Sequence, residues 1–191
     1  MPDVFDVLSL DHHEVKRMLS ELEAGPTKAT GATDNDLLLR KKMVEQLIIE
    51  ESKHEAVEEM YFWPAVRDKV PAGDALADTA TQQEQEGKQV LNDLDKLDAS
   101  DPEFERLVTK FIADGREHIG YEETKVWPGL RAVLTADESS ELGDKLAEAK
   151  KTAPTRPHPN TPPSPGMLKA AGQVAAAADR ARDAATGRGQ D

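Results

Sequence analysis

The sequence of 191 residues contains no cysteine, which excludes disulfides, zinc fingers, iron–sulfur ligation and thiol catalysis. Any metal site must therefore use histidine and carboxylate ligands. Aromatic residues are scarce, at 4%, whereas charged residues make up 32%. This composition favours a helical protein over a β-rich one. No apolar run approaches the roughly 18–20 residues that span a bilayer, so we expect no membrane partner.

Positive charge is also scarce, and the formal net charge is −13. Nucleic acids and anionic membrane surfaces bind clustered lysine and arginine, so we expect neither partner. The N-terminus, MPDVFDVLSLDHHEV, lacks the basic region and apolar stretch of a secretory signal. We therefore expect a cytoplasmic protein, and we also expect a monomer.

Four long segments carry apolar residues at helical spacing, which predicts an all-α protein. They span about Val4 to Glu23, Asp36 to Lys69, Ala72 to Leu97 and Asp101 to Leu134. Because the connections are short, neighbouring helices should be antiparallel and form an up-down-up-down four-helix bundle. A short fifth helix is predicted from Ala136 to Lys150, which closes a domain of residues 1–150.

The composition changes abruptly after Lys151. The stretch TAPTRPHPNTPPSPG is rich in proline, and the remaining residues are rich in alanine with little large apolar surface. Neither composition supplies enough apolar surface for a packed core. Residues 151–191 are therefore predicted to form a disordered, flexible C-terminal tail.

An internal repeat is the strongest signal in the chain. His54-Glu58-Glu59-Trp63-Pro64 recurs, with the same spacing, as His118-Glu122-Glu123-Trp127-Pro128. A weaker match aligns residues 15–22 with residues 87–94 and keeps Lys16 in register with Lys88. The repeat therefore predicts that the domain is a duplicated helical hairpin. Such a duplication can bring equivalent ligands to two adjacent metal ions.

Histidine and glutamate four residues apart lie on one helix face. This places His54 with Glu58, and His118 with Glu122, on faces that are otherwise apolar. Such pairs can instead be exposed and solvated. The duplication and the apolar faces favour a metal site, because an unpartnered buried carboxylate is costly.

The first and third helices offer further candidates. His12 lies at the edge of the apolar face of the first helix, whereas His13 should meet solvent. The hairpin alignment maps His12 onto Glu84, near the inner face of the third helix. Glu84 is either a metal ligand or a solvated charge among its polar neighbours.

These residues resemble the hemerythrin-like (HHE cation-binding) family over about residues 1–150, and the Arg-Pro-His-Pro tail is similar to that of actinobacterial members. The resemblance implies a four-helix bundle that holds two iron ions, bridged by an oxo or hydroxo group and by carboxylates. It also implies that His12, His54 and His118 are terminal ligands and that Glu58 and Glu122 bridge the ions.

The sequence departs from the family in the third helix, where members usually place one or two histidines and this chain has none. Three interpretations remain open. Glu84 substitutes for histidine, one iron keeps an open position, or Tyr61 supplies a phenolate. Tyr61 can instead be a core aromatic residue or a neighbour of the ligands.

With Glu84 the ligand set would contain three histidines and three carboxylates. Anionic oxygen ligands favour ferric iron, so we expect reaction with peroxide or nitric oxide, rather than reversible dioxygen carriage, in oxidative or nitrosative stress response or sensing. The activity would be catalase-like in effect. The alternatives are a sensory or binding module that responds to the iron state without catalysis, and a metal-free structural bundle.

Overall fold

The computed structural model describes residues 2–160 and 165–189, and all regular secondary structure in these ranges is helical. The helices are α1 (Val4–Ala24), α2 (Asp34–Val57), α3 (Trp63–Lys69), α4 (Gly73–Asp95), α5 (Pro102–Tyr121), α6 (Trp127–Val133), α7 (Ala136–Lys150) and α8 (Pro165–Thr186). The bundle consists of four helical segments: α1, the pair α2–α3, α4, and the pair α5–α6. The predicted all-α four-helix bundle is confirmed. No helix in the described ranges has the length and apolar character needed to cross a membrane.

Polar caps fix where the helices begin. The side chain of Asp3 accepts hydrogen bonds from the first turn of α1, and Thr33 does the same for α2. Asp101 caps α5, with proline at the first helical position. Because these residues satisfy otherwise free backbone N–H groups, helix starts could be predicted to within two residues.

Each repeat contains one turn of π-helix, Glu58–Phe62 and Glu122–Val126. In this turn the N–H of Trp63 bonds to the carbonyl of Glu58, and Trp127 bonds to Glu122 in the same way. A proline such as Pro64 ordinarily bends or breaks a helix. Instead the wider turn directly before it lets the helix continue to Lys69.

Two apolar clusters fill the bundle, one towards each end. Along α1, Leu8 belongs to one cluster and Val15 to the other, and His12 lies between them. The same order holds along α4, where Glu84 lies between Ala80 and Val90. A polar layer therefore crosses the middle of an otherwise apolar core.

The fifth predicted helix is present as α7, with the predicted limits, and it packs against α1 and α2. Thr135 caps its first turn. At its other end, the ammonium group of Lys150 lies 2.5 Å from Asp11 on α1. The outer helix therefore contacts the polar layer indirectly, through Asp11.

The structure corrects the expectation of a disordered tail, although residues 161–164, 190 and 191 lie outside the described ranges. Arg156 contacts Asp95 on α4 at 2.9 Å and Asp183 on α8 at 2.8 Å. Arg188 also pairs with Asp95. These ion pairs join α8 to the bundle, and such pairs leave no apolar periodicity in the sequence from which they could be predicted.

Candidate metal centre

The polar layer brings together the six side chains that the sequence singled out. One group consists of His12, His54, Glu58 and Glu122, and the second of Glu58, Glu84, His118 and Glu122. Within each group, one potential ligand atom from every residue lies within 4.8 Å of the others. Because Glu58 and Glu122 belong to both groups, the two positions are adjacent and share carboxylates.

Each histidine directs Nε2 towards a shared carboxylate. Nε2 of His12 lies 3.0 Å from Glu122. Nε2 of His54 lies 3.3 Å from Glu58, and Nε2 of His118 lies 3.3 Å from Glu122. Both shared glutamates are fully buried. The three imidazoles and two carboxylates therefore converge on one buried volume.

The inward-facing atoms of this layer make no hydrogen bond of ordinary geometry, although imidazole and carboxylate atoms lie 3.0–3.3 Å apart. They are Nε2 of His12, His54 and His118, Oε2 of Glu84, and both carboxylate oxygens of Glu58 and Glu122. Buried polar atoms are ordinarily hydrogen-bonded, because burial without a partner costs several kcal/mol. Nitrogen and oxygen donors left free in this pattern fit cations that take imidazole and carboxylate ligands.

The outer nitrogen of each histidine is held by a polar partner. Nδ1 of His12 lies 3.0 Å from Glu123, and Nδ1 of His54 lies 3.2 Å from Asp11. Nδ1 of His118 lies 3.1 Å from the side-chain oxygen of Gln83. Such contacts fix the tautomer and orientation of a metal-binding imidazole. The three imidazole rings are therefore held with Nε2 facing the centre.

The second glutamate of each repeat binds a lysine from the opposite hairpin. Lys16 on α1 lies 2.7 Å from Glu123, and Lys88 on α4 lies 2.5 Å from Glu59. These two ion pairs are equivalent under the duplication. They place positive charge beside the buried carboxylates and join the hairpins across the layer.

The tryptophans of the repeats also reach the layer. The indole N–H of Trp63 donates a 2.5 Å hydrogen bond to Oε1 of Glu84, which leaves Oε2 directed at the centre. The ring of Trp127 stacks on His12, with centroids 4.9 Å apart. The π-turn explains this placement, because its i to i+5 bonding sets Trp63 one turn above Glu58 on the same face.

Replacing Trp63 by phenylalanine should lower the free energy of unfolding by about 1–3 kcal/mol, because a buried carboxyl oxygen loses its donor. Trp127→Phe is the matched control, since the indole N–H of Trp127 has no partner to lose. Urea denaturation of both variants measures the difference. Equal losses in the two variants would contradict the assigned hydrogen bond.

Burial and mutual repulsion dominate the electrostatics of the centre. Burial, together with the neighbouring carboxylates, holds the pKa of Glu58 well above its ordinary value. Burial also raises the pKa of Glu84 well above its ordinary value, against the opposing charge of Lys88. The pKa of Glu122 is lowered instead, because the imidazoles outweigh the effect of its burial. The layer has more acidic groups than nearby positive charges, and bound cations would offset that imbalance.

A cavity of about 210 Å³ adjoins the centre. Four of the six side chains line it: His12, His54, Glu84 and His118. The exposed residues Glu86 and Glu117 lie on the same wall, so the cavity connects the centre with the surface. Small molecules therefore have a route to these candidate ligands.

Two other residues considered from the sequence, Tyr61 and His13, lie outside the polar layer. Tyr61 lines a different cavity, beside Met60 and Lys145, and packs against one apolar cluster. We therefore do not include Tyr61 in the ligand set. His13 is exposed, and its ring bonds to the backbone carbonyl of Ser9.

Sequence reasoning missed the residues that orient the ligands. Asp11 and Gln83 are equivalent under the hairpin alignment that pairs His12 with Glu84, so the repeat itself could have identified both. The repeat could also have identified the second glutamate of each motif and the aligned pair Lys16 and Lys88, because each recurs at an equivalent position. Their pairing across hairpins depends on how the helices pack, which the alignment alone does not specify.

A four-helix bundle with a buried layer of histidines and shared carboxylates defines a cation-binding helical protein. The Hemerythrin HHE cation binding domain family matches residues 3–130. The chain belongs to this family.

A solved structure and a curated protein resemble the chain. The crystal structure of a hemerythrin HHE cation-binding-domain-containing protein from Mycobacterium kansasii matches with a TM-score of 0.65 and 21% identity. The match covers 94% of this chain and 99% of that one. A DNA nickase from Nostoc sp. (strain PCC 7120 / SAG 25.82 / UTEX 2576) is 22% identical over 148 residues, 78% of this chain. The chain spans only 39% of the length of that nickase.

Proposed function

We propose that the chain holds two iron ions and uses them to consume peroxide. The observation that carries this proposal is the set of buried, unpartnered ligand atoms in two groups that share Glu58 and Glu122. Shared carboxylates suit a pair of adjacent ions, as in other carboxylate-bridged helical bundles. Imidazole and carboxylate together are ligands that iron accepts.

The two positions differ in charge. The first would take His12 and His54, and the second Glu84 and His118, with the shared glutamates completing both. The bound iron pair would supply electron transfer and a Lewis-acidic position for an oxygen-containing substrate. The additional carboxylate of Glu84 favours the ferric state at the second position. This asymmetry supports a redox role over reversible dioxygen carriage.

The surrounding residues would orient the ligands and admit a small neutral substrate. Asp11, Gln83 and Glu123 hold the imidazole rings, and the cavity leads from the surface to four of the ligands. Hydrogen peroxide and nitric oxide are both small enough for this cavity. With peroxide, the net reaction converts two molecules into two of water and one of dioxygen.

Oxygen release measured with an electrode tests this function. Protein prepared with iron should release dioxygen from hydrogen peroxide in proportion to its iron content, and Glu58→Ala protein should not. Glu141→Ala, an exposed position on α7, is the control for an unrelated glutamate change. Iron-loaded protein that releases no dioxygen from hydrogen peroxide would overturn the proposal.

The similarity to the nickase supports no DNA-cleaving role for this chain. The matched segment is a minor part of that protein. With a net charge of −13, the chain would be repelled by the phosphate backbone, whose binding depends on clustered lysine and arginine.

A second candidate is a sensory module, favoured by the position of α8. This helix packs against the π-turn that begins at Glu58, and Arg156 and Arg188 tie the C-terminal region to Asp95 on α4. A change in the centre could therefore alter how the tail is held. In the oxygen-release assay, a chain truncated after Lys151 should keep its iron and activity if the function is catalytic. Retained iron with altered partner binding and no activity in either form would favour the sensory module.

A further inference from the structure

The cavity beside the centre is lined by acidic residues in addition to the candidate ligands. Five carboxylates outside the six candidate ligands line it: Glu51 and Glu55 on α2, Glu86 on α4, and Asp114 and Glu117 on α5. No lysine or arginine in the described part of the chain is on this wall. A cleft lined by one sign of charge concentrates ions of the opposite sign and speeds their arrival.

The five carboxylates lie at different depths. Glu86 and Glu117 are exposed at the mouth, whereas Glu51 and Glu55 are only 6% and 3% exposed. Glu51 and Glu55 are four residues apart, so they share one face of α2. They lie about one helical turn before His54 and Glu58. The acidic wall therefore runs from the surface to the ligands.

The inner carboxylates have the features of a cation-binding position. Oε2 of Glu55 is buried without a hydrogen-bond donor, and the nearest ammonium group, on Lys88, is 3.9 Å away. A buried carboxylate with so little compensation is stabilised by a cation. Gly87 and Gly115 lie on the same wall, where the absence of side chains leaves the cavity open.

We propose that this cavity is the path by which divalent cations reach the centre. Glu86, Asp114 and Glu117 would attract the ion, and Glu51 with Glu55 would bind it transiently before it reaches the imidazoles. Carboxylate oxygens suit Fe²⁺, Mn²⁺ and Co²⁺. The inference rests on the proposed function only in requiring that the centre binds metal, since it concerns loading and not turnover.

Cobalt uptake by the metal-free full-length protein tests the path, because bound Co²⁺ absorbs visible light. In stopped-flow mixing, Glu51→Gln should slow uptake about tenfold, the lower end of electrostatic steering effects. Its final cobalt content by elemental analysis should equal that of the wild type. Glu86→Gln combined with Glu117→Gln should weaken the dependence of the rate on salt. Glu141→Gln removes an equal charge from exposed α7 and should leave the rate unchanged.

Unchanged uptake rates in both cavity variants would overturn the proposed path. A lower final cobalt content in Glu51→Gln would also overturn it, since Glu51 would then be a permanent ligand. If wild-type protein binds no cobalt and no iron, both the path and the proposed function fail. Normal loading of the wild type with no peroxide consumption would remove only the proposed function.

Discussion

Replacement of Glu122 by alanine should remove bound metal from both positions, because this carboxylate belongs to both ligand groups. Elemental analysis of iron-supplied protein should fall from two ions per chain to nearly none. The fold should survive, since the substitution also removes one of several mutually repelling buried carboxylates. Circular dichroism checks that the helices remain.

Two further variants make this result specific. Glu123→Gln changes the adjacent residue but keeps an oxygen acceptor for His12 and Lys16, so metal content should stay close to that of the wild type. Glu84→Ala alters only the second group and should cost one ion of the two. Glu122→Ala protein with its full complement of metal would rule out shared ligation.

Metal removal should reverse the pH dependence of stability. Burial raises the folded-state pKa of Glu55, Glu58 and Glu84 well above the ordinary value of 4.5. Folded metal-free protein therefore holds more protons than the unfolded chain, and its free energy of unfolding should fall as pH rises from about 5 to 8. The raised pKa of His12 acts in the same direction, and the lowered pKa of His118 opposes it.

The metal-loaded protein should show the opposite slope in the same range. Metal binding requires deprotonated carboxylates and neutral imidazoles, so affinity and the stability linked to it rise with pH. Urea denaturation at pH 6 and pH 8, with chelator and with saturating Co²⁺, measures both slopes. Glu58→Gln removes one titrating group and should flatten the slope of the metal-free protein. Parallel slopes with and without metal would contradict ligation by these carboxylates.

Several residues of the polar layer could be predicted because their positions follow from local helix geometry. His54 and Glu58 share a face at any point of an α-helix, and the repeat carries the same relation to His118 and Glu122. Glu84 required the weaker hairpin alignment as well, and Tyr61 was a competing candidate. In the structure, Glu84 lies in the polar layer, whereas Tyr61 lines a different cavity.

The π-turns illustrate a limit of helical periodicity. In a regular α-helix, Trp63 would point about 140° away from Glu58. The wider turn before Pro64 brings both onto the inner face, and Trp63 then reaches Glu84 on α4. Regular helical periodicity therefore does not place the indole of Trp63 beside Glu84, whereas the structure does.

By itself, the sequence determined the helices of residues 1–150, the duplication and the faces that carry the candidate ligands, because caps, turn residues and apolar spacing act over a few neighbouring residues. Only the tertiary structure decided which partners meet across the bundle: Asp11 with His54, Lys16 with Glu123, and Arg156 with Asp95. These contacts join residues far apart in the chain, so they depend on helix order, rotation and depth of packing. The position of α8 depends on contacts of the same kind, since Asp183 of this helix pairs with Arg156, which also pairs with Asp95 on α4.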